Sequence, residues 1–329
     1  MTGMKRTIIN QLARLGATAM LAAATFGASA QALKLDSPLR IVVGYSPGGA
    51  SDRAARLVAD ALKDQVGVPI VVENKTGAGG RLAAQQVKMA GPDQNVLMIG
   101  NPAINVVAPF VFKDAGYDQY RDFVPVAQVT RYDFAIAVGP GTPAKDLADL
   151  LAWLKANPQQ ANFGVPATGS LPHFFALMLA QQAKVKPQVV GYRGSGPLAT
   201  DLAGGQIPVA IDSLDTVIPL HEAGKLKIVA IGGASRAPQL PSVPTLKESG
   251  IDLVADGWNA LFAPSSMPPA KVAAIGAAVA KAMASPTVRK RFEDAQMVPV
   301  SAGPEETAKM LDAYRKQWEP VVKDSGIQQ

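Results

Sequence analysis

Short apolar runs alternate with segments of helical spacing along nearly the whole chain, and this alternation restricts the fold more than any other feature. Runs that are apolar at every position suit strands buried on both faces, the condition of a parallel sheet covered by helices. They predict strands near Leu39–Val43, Pro69–Val72, Val96–Ile99, Ala135–Val138, Asn162–Val165, Gln188–Gly191, Val209–Ile211, Ile228–Ile231 and Leu261–Ala263. Helical spacing predicts helices over Ala50–Gln65, Gly80–Met89, Ala144–Ala156, Leu171–Ala183, Pro197–Ala203, Val217–Ala223, Pro269–Met283, Pro286–Ala295 and Pro304–Val322. Several open on a proline or on a Ser, Thr or Asp cap, and the prolines and glycines sit mostly between elements.

The first such unit is the most informative. Ile41-Val42-Val43 reads as a buried strand, Ser46-Pro47-Gly48-Gly49 breaks it, and Ala50-Ser51-Asp52-Arg53 begins a helix at once. That order leaves free backbone N–H groups at a helix N-terminus, where the helix dipole adds positive potential and favours an anion. The Gly-x-Gly-x-x-Gly spacing of a dinucleotide site and the Gly-Lys-Ser/Thr ending of a P-loop are both missing. The turn is an anion cradle without a nucleotide motif.

The chain opens with Lys5, Arg6 and Arg14, then an apolar stretch from Leu15 to Phe26 too short to span a bilayer, then Ala28-Ser29-Ala30. This predicts a signal peptide over 1–30, cleaved after Ala30, and a mature protein outside the cytoplasm. Cleavage removes three of 32 basic residues and none of 26 acidic ones, so the formal charge falls from +6 to +3. No cluster of five or more Lys and Arg exists, which argues against nucleic acid as a partner. No later run offers about 18 uninterrupted apolar residues for a membrane span. Cysteine is absent, which excludes disulfides, thiol nucleophiles and thiolate metal sites together. The two histidines, His173 and His221, stand far apart and no ligand-spaced cluster accompanies them, so neither metal nor cofactor is expected.

A mature chain of roughly 300 residues exceeds the length at which one core stops growing, so two lobes are expected. No Gly/Ser-rich tether divides the halves, which points to interleaved lobes joined by crossing strands. The stretches Tyr132–Ala137 and Asp256–Leu261 are the candidate crossings. Lobe 1 is then 31–134 plus 258–329 and lobe 2 is 135–257, with a hinge between them and a ligand held in the cleft.

Several motifs occur in a shared order: Ser46-Pro47-Gly48-Gly49-Ala50-Ser51-Asp52, Val72-Glu73-Asn74-Lys75-Thr76-Gly77-Ala78-Gly79-Gly80, and Tyr192-Arg193-Gly194-Ser195-Gly196-Pro197. Asp201-Leu202-Ala203-Gly204-Gly205-Gln206 and Pro241-Ser242-Val243-Pro244-Thr245-Leu246-Lys247-Glu248-Ser249-Gly250 follow, then Trp258 to Pro264. Collinear over essentially the whole mature chain, they resemble the Bug family, the periplasmic solute-binding receptors of tripartite tricarboxylate transporters. The resemblance implies an α/β, type II-like periplasmic binding protein. Each lobe is a mainly parallel sheet flanked by helices, and the ligand cleft lies between the lobes. It implies no catalytic residue, a small organic acid as ligand, the membrane carrier subunits of a tripartite transporter as partners, and a monomer. Gly100-Asn101-Pro102-Ala103-Ile104-Asn105 and Val165-Pro166-Ala167-Thr168-Gly169-Ser170 depart from the family pattern near the expected pocket, so they bear on ligand identity.

Candidate ligand-binding residues follow. Gly48, Gly49 and Ala50 give backbone N–H groups to one carboxylate, or else serve only the geometry of a strand-to-helix turn. Tyr45 and Ser46 supply an aromatic wall and a hydroxyl, or simply pack. Thr168, Gly169 and Ser170 open a second helix and form the opposing cradle, or an ordinary Ser cap. His173 touches the anion or is a hydrogen-bonded structural histidine. Arg193 makes a bidentate carboxylate contact or an ion pair elsewhere. Asp212 accepts from a ligand ammonium or hydroxyl, or holds a loop, while Asn101 lies past a strand's carboxyl end, where open α/β sheets bind ligands.

The leading function is capture of a di- or tricarboxylate, an acidic amino acid or an aromatic acid. A receptor of the same fold that signals to a membrane sensor is the alternative. A secreted hydrolase would need a nucleophile, a base and an orienting acid, yet no Gly-x-Ser-x-Gly elbow is present.

Overall fold

The structure, a computed structural model, describes residues 35–192, 194–295 and 297–327. The expected signal peptide and Arg193 lie outside the described residues. The strands are β1 (Leu39–Val43), β2 (Ile70–Asn74), β3 (Val96–Gly100), β4 (Phe123–Val138) and β5 (Asn162–Val165). They continue with β6 (Gln188–Gly191), β7 (Val209–Ser213), β8 (Lys227–Ile231), β9 (Asp256–Pro264) and β10 (Val298–Ala302). The helices are α1 (Ala50–Val66), α2 (Arg81–Lys88), α3 (Ala108–Val111), α4 (Gln119–Asp122), α5 (Leu147–Ala156) and α6 (Leu171–Ala183). They end with α7 (Ser195–Ala203), α8 (Leu214–Glu222), α9 (Pro269–Met283), α10 (Pro286–Asp294) and α11 (Pro304–Asp324).

The strands form one path, β2-β1-β3-β9-β4-β7-β5-β6, with β8 and β10 also pairing with β4. β2, β1 and β3 are parallel, as are β6, β5 and β7, so each wing is a parallel sheet built from βα units. The ladders between the wings, all made by β4 and β9, are antiparallel. β4 is sixteen residues long and serves both wings. Its Phe123–Asp133 part pairs with β9, and its Phe134–Val138 part with β7 and β8. The switch falls between Asp133 and Phe134.

Two strands, β4 and β9, are longer than the sequence predicts by more than two residues. Ala135–Val138 is only the tail of β4, whose earlier part carries Pro125, Arg131 and Asp133 and so does not read as an apolar run. Leu261–Ala263 is only the later part of β9, and β10, with Pro299 beside a register shift, has no sequence signature of a strand. Helix starts move too: α5 begins at Leu147, α7 at Ser195 and α8 at Leu214.

Helix burial follows helical spacing. α1 buries Ala54, Ala55, Val58, Leu62 and Val66 against the sheet and ends at Gly67, whose φ of 70° makes the left-handed cap. α11 buries Thr307, Leu311, Tyr314, Trp318 and Val322. Tyr314 stacks on Trp318 with ring centroids 5.8 Å apart and meets Trp258 edge-on at 5.9 Å. Its hydroxyl donates to the Asp256 carbonyl, which ties the C-terminal helix to the start of β9.

Asp133 and Asp256 face each other across β4 and β9 at the switch. Like charges directly opposite on neighbouring strands repel, and burial disfavours ionisation as well. Burial raises the Asp133 carboxyl, and burial with the Asp133 charge pushes Asp256 up to about 6, against the pull of Arg131. A carboxyl raised in the folded state favours folding below its unfolded pKa, and this contribution is lost as pH rises through the folded value. Asp256→Asn should therefore raise Tm by a few degrees at neutral to alkaline pH, with the gain vanishing below about pH 4. Thermal melts of both proteins across that range check it; an equal Tm difference at all pH values would remove the charge from the explanation.

Candidate functional site

A cleft of about 830 Å³ opens where the parallel strands end. The turns after β1, β3, β5, β6 and β7 face into it, together with Tyr132 and Phe134 of β4. Helix N-termini converge beyond the carboxyl ends of parallel strands, which is why open α/β sheets take ligands there.

The turn between β1 and α1 is set by its glycines. A Cβ on Gly44 would lie 2.7 Å from the Gly80 Cα, so only glycine lets the two loops pack. Gly48 holds φ +85°, a left-handed conformation that other residues rarely adopt. The helix cap is Gly49, with no side chain to bond the first turn. The N–H groups of Ala50 and Ser51 thus have no intrahelical acceptor and stand at the cleft wall.

Asp52 locks this turn from beneath. Its carboxylate is 2% exposed and accepts from Gly48 N–H at 2.8 Å, Asn74 Nδ2 at 2.8 Å, and Arg56 Nε and Nη2 at 2.9 Å each. Burial pushes the carboxyl up, but the bonds from Arg56, Gly48 and Asn74 outweigh it and hold it below its ordinary value. Asn74 also donates to the Tyr45 carbonyl at 2.9 Å. This departs from the sequence expectation: the Gly48 amide is spent on Asp52 and the Gly49 amide donates to the Ser46 carbonyl at 3.4 Å, so the amides left facing the cleft are those of Ala50 and Ser51.

Behind the turn runs a buried polar chain. Ser51 Oγ donates to Asn259 Oδ1 at 2.7 Å, and Asn259 Nδ2 donates to Thr130 Oγ1 at 2.9 Å. Asn101 Oδ1 accepts from Ile104 N–H at 3.2 Å and from the Tyr45 hydroxyl at 3.3 Å. Burial pushes the Tyr45 phenol up to about 12. Tyr45, Ser46, Gly48, Gly49, Ala50 and Asn101 all line the cleft. Asn259 and Thr130 were missed by sequence reasoning; the available signal was a lone amide in the otherwise apolar run Trp258-Asn259-Ala260-Leu261.

The opposite wall is less amide-rich than expected. Ser170 lines the cleft at the start of α6, but its hydroxyl donates to the Ala167 carbonyl at 2.7 Å. Gly169 donates its N–H to His173 Nδ1 at 3.0 Å, and His173 stacks on Phe174 with centroids 5.8 Å apart. Burial lowers the His173 pKa, which suits a neutral acceptor ring. Gly169, His173 and the exposed Thr168 are not among the residues lining the cleft. Pro172, within the first turn of α6, has no N–H to offer.

Charge enters at the β7–α8 corner. Asp212 lines the cleft, is 3% exposed, and accepts from Ser213 N–H at 2.7 Å. Burial pushes its carboxyl up to about 7. Asp215, in the first turn of α8, is ion-paired with Arg53 of α1, a residue 162 positions away. Arg53 also donates to the Gly48 carbonyl at 3.0 Å. The pair therefore spans the cleft from one wing to the other. Neither partner was singled out from sequence, because an ion pair between distant helices leaves no local pattern.

Chemically, the cleft offers N–H donors, hydroxyls, aromatic faces and a small set of charges. Among the described residues no group of three or more His, Cys, Asp or Glu could hold a metal ion. His173 is engaged by Gly169, and His221 accepts from Ile228 N–H at 3.3 Å, both away from the cleft. The constellation is one for gripping a solute.

Comparison with known proteins gives the same picture. A family model described as the tripartite tricarboxylate transporter family receptor, TctC, matches residues 54–327. The chain is 31% identical over 325 residues to a Cupriavidus necator protein, the UPF0065 protein in the gbd 5′ region, covering 98% of both. It is 30% identical to a solved R. palustris protein with adipate, with a TM-score of 0.82, over 90% of this chain and 98% of that one. MatC from Rhodopseudomonas palustris with bound malate is 31% identical, with a TM-score of 0.77, over 88% and 99%. The fold, the cleft at the strand ends and the matched length together assign the chain to the tripartite tricarboxylate transporter receptor family of solute-binding proteins.

Proposed function

We propose that this protein is a periplasmic receptor that captures a small carboxylate between its two wings and delivers it to a membrane carrier. The wings act as lobes, 31–134 with 258–329 and 135–257, that close over the ligand. The observation that carries this reading is the N-terminus of α1: the free N–H groups of Ala50 and Ser51, with the Ser46 hydroxyl, front a cleft at the strand ends. The carboxylates named with two similar proteins, adipate and malate, support the same ligand class. Export follows from the basic, apolar, Ala28-Ser29-Ala30-ended segment at the N-terminus. Among the described residues no helix is long and apolar enough to cross a membrane; the membrane carrier subunits are the partners that the transporter family supplies.

A ligand that binds only the folded state raises its stability by mass action, by about 2.7 kcal/mol at a hundredfold excess over Kd. Thermal melts against mono-, di-, tri- and aromatic carboxylates are expected to show at least one acid raising Tm by several degrees, and calorimetry then gives Kd. A flat response to every carboxylate would remove the proposed ligand class.

Gly49 provides the site test. It sits at φ −71°, and a Cβ there would meet only the Ser46 carbonyl at 3.5 Å, an ordinary contact. Gly49→Ala should bind nearly as well as the parent. Gly49→Asp should fold equally well but lose affinity on the order of 100-fold, because it sets a like charge beside the bound carboxylate. Equal affinity for both variants would take this turn out of the site.

A further inference from the structure

The two sides of the cleft carry opposite electrostatic character. On the α1 side stand helix N-terminal amides; on the β7–α8 side stand two carboxylates, Asp212 and Asp215. Both are more than nine-tenths buried, at 3% and 7% exposure. Asp215 gives one oxygen to Arg53, while its Oδ1 is buried and has no hydrogen-bond partner. Asp212 faces no cation among the described residues that line the cleft, because Arg53, the one such cation, is already taken by Asp215. A ligand with a carboxylate at each end would press its second charge against this pair. A ligand ammonium would supply the missing positive charge beside Asp212 and a donor on the side of Asp215 whose oxygen lacks one.

The walls beside the acids fit a cation too. Tyr132 and Phe134, packed edge to face at 5.7 Å, and Tyr192 line the same cleft, and Phe134 pairs with Ser213, the residue after Asp212. Aromatic faces attract ammonium groups and offer nothing to a second carboxylate.

We infer, building on the carboxylate role proposed above, that the cleft selects a zwitterion: the ligand's carboxylate lies at the N-terminus of α1 and its ammonium group faces Asp212 and Asp215. The substrate class is then an amino acid or other amino-carboxylate, and Asp212 is the residue that sets the preference over dicarboxylates.

Proton linkage distinguishes the two classes. Burial pushes Asp212 up to about 7, and Asp215 adds to the rise. The hydroxyls of Ser195 and Thr216 and the Ser213 N–H act the other way, while Tyr132 stands near both acids. Near neutral pH a substantial share of Asp212 is protonated. An arriving ammonium needs the ionised form and expels that proton, whereas a second carboxylate needs the protonated form and takes one up.

The experiment uses chain-matched pairs on the mature protein: δ-aminovalerate against adipate, γ-aminobutyrate against glutarate, with a set of α-amino acids beside them. Calorimetry in buffers of different ionisation enthalpy reads the proton count. The expected result is binding of amino-carboxylates with net proton release and an affinity about tenfold tighter at pH 8 than at pH 6. Asp212→Asn, checked for folding by circular dichroism, should weaken the amine and abolish that pH dependence. Binding of dicarboxylates with proton uptake, and none of the amines, would overturn the inference while leaving the carboxylate role standing. Failure of both classes would instead remove the carboxylate role on which it rests. An Asp212→Asn protein that folds and binds the amine unchanged would also overturn it, and the proton count on the unaltered protein decides the matter if the variant fails to fold.

Discussion

Everything in this molecule hangs on β4, one strand that must satisfy two sheets. Over Phe123–Asp133 it gives its backbone to β9, and over Phe134–Val138 to β7 and β8. A backbone amide left unpaired in a buried sheet is costly, so neither wing completes its ladders without this strand. The shared strand fixes where the two parallel wings sit, and so where their loop ends meet to form the cleft. The same strand carries buried Asp133 to a position opposite the half-buried Asp256, at the point at which the chain passes from one wing to the other.

Within that frame, the anion site depends on anchoring a negative charge that is not the ligand's. Asp52 sits under the first turn of α1 and is held by four donors, including the Gly48 amide and the Arg56 guanidinium. Fixing the turn by a buried, fully bonded carboxylate leaves the later amides rigid and pointed outward. Such preorganisation lowers the ordering cost of binding. Arg53 extends the arrangement across the cleft to Asp215, joining α1 to α8 by charge. With Asp215 almost wholly buried, that pair experiences weak screening, so it is a natural strut between the wings.

Much of the fold was legible in the linear pattern. Buried runs such as Val96–Ile99 and Asn162–Val165 coincide with strands within a residue, because a strand covered on both faces needs apolar side chains at consecutive positions. β10 and the first part of β4 were not legible. Their prolines are tolerated because register shifts beside Pro125 and Pro299 absorb them, and a register shift exists only between two strands. Of the site, the glycine turn and Asn101, Ser170 and Asp212 could be named from their place at strand ends. Thr168, Gly169 and His173 could not be assigned to or away from the cleft wall from order alone: Thr168 is exposed, and the Gly169 amide is bonded to the buried His173 ring.

The sequence by itself determined the alternation of strand and helix, the glycine turn that frees a helix N-terminus, and membership in a receptor family, since each depends on residues close in order or on motifs in series. Tertiary structure alone decided which amides remain free, that Asp52 takes the Gly48 N–H, that Arg53 meets Asp215, and that Asp212 is buried without a cation among the described residues lining the cleft. These are contests for hydrogen-bond donors and for charge between segments far apart in the chain. Their outcome depends on distance and on exclusion of water, and neither exists until the wings are joined along β4.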